Sequence, residues 1–183
     1  VTMATTQRLQ QENATFDDFR GNLATLTLGS GSCAMLLVHE RLASTGHRIN
    51  GSEALSATQF NQLCIGTATS MKTDAPRLLT EGVALAQRNW IKARTSLEIE
   101  PHQIKSYALH QVGRPNHDAV IKALEVPAEQ AIRLYPHLGN VGAAGVPLAM
   151  SESLNEDRFD EGDTVMLMGI GSGLNTQMMR VEW

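Results

Sequence analysis

Basic residues are sparse in this sequence. Lysine and arginine together number 15 against 19 acidic residues, for a formal net charge of −4. They form no cluster, so the basic patch that neutralises phosphates in nucleic-acid binding is missing. Long apolar runs are missing too, and none approaches the roughly 18 residues of a membrane-spanning helix. Cysteine occurs only at Cys33 and Cys64, too few for a disulfide framework and in keeping with a reduced, cytoplasmic protein. No charged-then-apolar leader opens the chain, so no signal peptide is expected. The first residue is Val1 rather than Met, which suggests a processed chain or a fragment of a longer one.

What is present suits a globular α/β chain. The 183 residues are enough for one sizeable domain, and 42% of them are hydrophobic, an ordinary share for a packed core. The polar opening reads as loop with some helix. LATLTLGSGSCAMLLVHE, residues 23–40, holds two apolar runs separated by Gly29 and Gly31. It predicts two strands joined by a tight turn, with Cys33 as inert core in the second. Residues 41–52 read as a polar connector, and a boundary near Thr45–Gly51 divides residues 1–46 from 47–183.

A helix is expected in MKTDAPRLLTEGVALAQRNWIKA, with Asp74 as N-cap and Pro76 in the first turn, where its missing N–H costs little. Leu79, Val83, Ala86 and Trp90 give it one apolar face. SYALHQ reads as a strand ending at His110. Pro115 opens the next helix, with Val120, Ile121 and Leu124 facing inward. PAEQA reads as a helical turn, IRLYPHLGN as a strand or extended segment, AAGVPLAMSESL as a helix, and the last residues as a hairpin around GIGSG. The order from residue 47 is β-α-β-α-β-α-β-β, which predicts a layered α/β fold.

Three features carry chemistry, and each has an ordinary reading beside it. His110 at a strand end can simply bond a backbone carbonyl. A metal site is not expected, because His102, His110, His117 and His137 lack ligand spacing and an accompanying carboxylate. Asn140 in LGNVGAAG can be a turn residue tolerant of left-handed angles. Yet α/β folds place ligands beyond the C-terminal ends of their strands, and two neutral donors converging on one oxygen stabilise developing negative charge. GIGSG, residues 169–173, lacks the spacing of a dinucleotide or phosphate loop. It is either a hairpin corner or a backbone that approaches a substrate closely, with an N–H to offer at Ser172. Neither Cys33 nor Cys64 has a sequence neighbour that would lower its pKa and make it a nucleophile.

Taken together and in this order, His110–Gln111, Asn140 and a terminal hairpin with GIGSG resemble the thiolase-fold condensing enzymes, in the C-terminal part of the 3-oxoacyl-acyl-carrier-protein synthase III group. MKTDAPRLLTEGVALAQRNW, HQVGRPNH and GIGSGLNTQMMRVEW are most similar to the head-to-head acyl-CoA condensing enzymes of olefin biosynthesis. The resemblance implies an α-β-α-β-α layered fold in the full protein, of which this chain holds one complete C-terminal half and the last strands of the N-terminal half. It implies Claisen condensation of acyl thioesters, carried by coenzyme A or acyl carrier protein, with no cofactor. His110 and Asn140 would stabilise the enolate and the Ser172 backbone N–H would form part of the oxyanion hole, with Gly171, Gly173 and Gln111 beside the substrate.

The sequence departs from the family twice. Neither cysteine aligns with the family's nucleophile, so the chain alone is expected to be inactive. Pro115, beside Arg114, stands where carrier-protein-dependent members tend to have an Arg, which favours coenzyme A thioesters. A missing N-terminal half, in the same or a separate chain, and a homodimer are the implied partners. A non-catalytic thiolase-like partner subunit is the alternative.

Overall fold

The computed structural model of the chain describes residues 2–43 and 45–183. The polar opening forms helices α1 (Thr2–Leu9) and α2 (Phe16–Leu26). Thr15 starts α2 with a capping box: the Asp18 N–H donates to its hydroxyl at 3.1 Å, and its own N–H donates to the Asp18 carboxylate at 2.9 Å.

The strand pair expected in residues 23–40 does not form. Leu23–Leu26 finish α2, and residues 29–39 run extended without a ladder. A strand needs a neighbour to take its N–H and C=O groups, and among the described residues the only such contact here is a parallel bridge of Leu28 with Asn140. Cys33 is accordingly exposed, not core. Gly29 and Gly31 do not make a hairpin turn. A Cβ at Gly29 would overlap the Leu138 carbonyl, and one at Gly31 would press on Leu148 Cδ1 at 3.0 Å. These glycines let the N-terminal segment lie flat against residues 138–141.

Beyond it come β1 (Arg48–Ser56), the short hairpin β2 (Cys64–Gly66) and β3 (Met71–Thr73), and the long helix α3 (Ala75–Ser96). Then follow β4 (Ile104–Leu109), α4 (Arg114–Ala123), the single turn α5 (Tyr135–Leu138), α6 (Gly145–Asn155), β5 (Thr164–Gly171) and β6 (Asn175–Glu182). The polar connector expected over residues 41–52 thus runs into a strand. Pairing with β6 makes β1, not its own hydrophobic pattern, because it is a mostly exposed edge strand. The strand expected in IRLYPHLGN is the turn α5. Pro136 cannot donate to a ladder but fits the first turn of a helix.

The main sheet has the order β1-β6-β5-β4, with β4 parallel to β5 and the other pairs antiparallel. Both faces are covered, and the central strand β5 is buried and apolar from Val165 to Met168. Tyr107, Leu109, Met166 and Met168 point toward α3 and α4, against Trp90, Ala93 and Leu124. Ala108, Val165 and Leu167 point the other way, toward Ala149 of α6, Ile132 and Phe159. The period of two in β4 and β5 sorts the side chains into these two layers. The helix α3 is N-capped by Asp74, whose carboxylate accepts from the Arg77 N–H at 3.2 Å. Its buried Asn89 ties it to the sheet by donating to the Glu53 and Thr176 carbonyls at 3.1 and 3.5 Å. No described helix is long and apolar enough to cross a membrane.

Candidate active site

The C-terminal ends of the parallel strands β4 and β5 open onto a cavity of about 550 Å³. His110 is the first residue after β4, and its N–H donates to the Met168 carbonyl of β5 at 2.9 Å, which continues the ladder one step. Its side chain lines the cavity, together with Asn140, Gly171 and Ser172. Residues from three stretches remote in sequence thus share one void.

His110 is half-buried. Burial disfavours the charged ring and lowers its pKa, and the backbone of Gly142 beside it works the other way. The imidazole is therefore neutral near pH 7. Its Nδ1 lies toward the start of α6, 3.7 Å from where a Cβ on Gly145 would sit.

Asn140 is gripped from both sides. Its N–H donates to the Thr27 carbonyl at 2.9 Å, and its carbonyl accepts from the Gly29 N–H at 2.9 Å. The side-chain Oδ1 accepts from the Gly142 N–H at 3.0 Å. That bond fixes the amide plane and leaves Nδ2 as the group with protons to donate.

Gln111 stands apart from the cavity. It is 3% exposed and bonded at both ends of its amide: Nε2 donates to the Ile132 carbonyl at 2.8 Å, and Oε1 accepts from the Leu134 and Tyr135 N–H groups at 2.7 and 3.2 Å. Its amide is turned to backbone and it is not among the residues lining the cavity, where a place beside the substrate was expected. The bonds instead join the strand end that carries His110 to the segment that leads into Asn140. Gly173 also serves the frame, taking φ of 130° at the β5–β6 corner, a conformation that favours glycine.

The rest of the wall is apolar. Leu79 and Val83 of α3, read from sequence as a core-facing stripe, line the cavity, as do Met71, Val120 and Ile170. The same periodic pattern marks a core face and a ligand face, so sequence does not separate them. Asn116, one turn into α4, and Cys64 and Thr73 of the small hairpin also line the void, and sequence gave no signal for the last two, whose strands are three residues each. The half-buried Cys64 has Sγ 3.5 Å from the Thr73 hydroxyl. Among the described residues no three His, Cys, Asp or Glu side chains gather as a metal site.

The arrangement is a largely apolar cavity whose wall carries neutral hydrogen-bond donors. Residues 95–183 match the family model for the C terminal of 3-oxoacyl-[acyl-carrier-protein (ACP)] synthase III. An acyl-CoA:acyl-CoA alkyltransferase from Xanthomonas campestris is 36% identical over 179 residues, which are 98% of this chain and 53% of the relative. The protein of the same name from Shewanella oneidensis is 36% identical over 92% of this chain and 52% of its own length. A beta-ketoacyl-[acyl-carrier-protein] synthase III from Gloeobacter violaceus is 33% identical over 92 residues. The crystal structure of a Xanthomonas campestris OleA variant with bound lauric acid and lauroyl-CoA superposes with a TM-score of 0.95 at 36% identity, over 100% of this chain and 54% of that one.

By sequence and by fold, then, the chain matches the C-terminal part of the thiolase-fold condensing enzymes of the 3-oxoacyl-acyl-carrier-protein synthase III group. The acyl-CoA:acyl-CoA alkyltransferases are relatives it matches along nearly its whole length. It spans about half the length of these curated relatives.

Proposed function

We propose that this chain is the C-terminal portion of an enzyme that condenses two acyl thioesters, and that it supplies the groups that hold the enolate. The observation that carries the reading is that His110, Asn140 and Ser172 line one largely apolar cavity. The names of the relatives support it.

In this reading, a cysteine thiolate contributed by residues outside the chain attacks the carbonyl of the first thioester. The tetrahedral oxyanion is held by the Ser172 N–H and a second backbone donor, and the carrier thiol leaves. The carbon next to the second thioester's carbonyl then gives up a proton to a base that, like the cysteine, comes from residues outside the chain, or gives up carbon dioxide if it is a malonyl group. The negative charge moves onto the carbonyl oxygen, where His110 and Asn140 donate to it. The carbanion attacks the acyl-cysteine, a carbon–carbon bond forms, and the cysteine thiolate leaves. Neutral donors suit this step because they strengthen as the oxygen gains charge. The homodimer, the division at residues 46 and 47 and the preference for coenzyme A thioesters belong to the same proposal.

The test is His110→Ala in the complete protein, with acyl loading read as release of the carrier thiol and condensation read as the 3-oxoacyl product. Condensation falls by about a hundredfold or more, in line with loss of a preorganised donor, while loading stays within a few fold. Equal loss of both steps in a folded variant would remove His110 from the enolate step.

A further inference from the structure

We infer that Gly82, facing Ile170, sets the length of the acyl chain that the cavity admits; the inference rests on the acyl-thioester reading above. Gly82 lies in the interior of α3, is buried, and lines the cavity. Glycine is a poor residue for a helix interior, so its place there calls for a reason in space. A Cβ at this position would lie 3.1 Å from Ile170 Cδ1, and beyond its own helix backbone it would meet no other atom within 4 Å. The missing side chain therefore lets Ile170 seat against bare helix backbone, and a side chain at this position would drive Ile170 into the cavity.

The opposite wall has the same character. Gly169 and Gly171 flank Ile170 and line the cavity with backbone. Three glycines thus strip side chains from a passage whose remaining walls near Gly82 are Leu78, Leu79 and Val83. A stretch of wall made of glycine backbone and aliphatic side chains fits an unbranched alkyl chain. With the thioester at His110 and Asn140, the chain's far methylenes would pass Gly82.

Gly82→Ala and Gly82→Leu test this in the complete protein, with octanoyl-CoA and palmitoyl-CoA in competition for acyl loading. Alanine brings a Cβ into close contact with Ile170 and raises helix propensity, so that variant keeps its melting temperature. One methylene in an apolar pocket is worth about tenfold or more in discrimination. Gly82→Leu is expected to move the kcat/KM ratio toward octanoyl-CoA by at least about tenfold, and Gly82→Ala less far in the same direction. If wild type loads both thioesters and the ratio stays fixed in the folded alanine variant, Gly82 is not the determinant and the acyl reading stands. If wild type loads neither, the acyl reading itself fails and this inference falls with it.

Discussion

His117 is 2% exposed, and neither of its ring nitrogens has a hydrogen-bond partner among the described residues. Its ring packs at a tilt on Tyr135, 5.6 Å between centroids. Burial lowers its pKa first, the Arg133 charge adds to that, and Asp118 opposes both. An unfolded histidine titrates near about 6.5. Above that pH both states carry a neutral ring, and the shift has no effect. As the pH falls below it, the unfolded chain takes the proton while the folded one refuses it, so stability is lost until the lowered folded pKa is reached. Half-buried His110, shifted in the same direction, adds to the loss. Melting temperature measured from about pH 7.5 down to pH 5 therefore falls on the acid side, and His117→Phe makes that fall shallower. Parallel curves for the two proteins would contradict the account of His117. At this scale, the sequence pointed to the end of β4 that opens onto the cavity but not to where each residue there would face. His110 and Gln111 are adjacent, yet one faces the cavity and the other bonds Ile132, Leu134 and Tyr135. Side-chain alternation past the strand end decides this, and composition does not record it.

The elements follow a similar logic. Those that carry their own signal, such as α3 with Asp74 and Pro76 at its start, form where the sequence predicts them. Those made by a neighbour do not announce themselves. The edge strand β1 exists because β6 lies beside it. The N-terminal glycines look like a turn until residues 138–141 are placed against them. That contact has a functional consequence, because Thr27 and Gly29 hold the backbone of Asn140 on either side. In Gly29→Ala the new Cβ overlaps the Leu138 carbonyl, and the two segments must separate. The variant is expected to lose about 1–3 kcal/mol of stability by overpacking. It also loses about tenfold or more of the condensation rate through displacement of Asn140, although residue 29 lies outside the cavity lining. Urea unfolding and product formation check the two halves of that statement, and a variant with normal condensation would show that the segment does not position Asn140.

For the whole molecule, the distribution of apolar surface is the informative quantity. The sheet is covered on both faces, but Leu36 is 91% exposed and Leu37 is 70% exposed in an extended segment that has no ladder. A run of large side chains left in water is costly, and further chain packed along this segment would relieve it. The same division governs the chemistry. His110 and Asn140 line the cavity, while Cys33 is exposed on the segment after α2 and Cys64 has, among the described residues, the Thr73 hydroxyl at 3.5 Å as its hydrogen-bond partner. The central claim, that this chain supplies the enolate-holding pair and another segment supplies the nucleophile, is tested most directly by locating the acyl group. The complete protein would be treated with a long-chain acyl-CoA, quenched in acid, digested, and mapped by peptide mass. The account predicts an acylated cysteine outside these 183 residues, with the adduct accumulating further in His110→Ala. An acyl group on Cys64, or no acyl-enzyme under conditions that yield product, would contradict it.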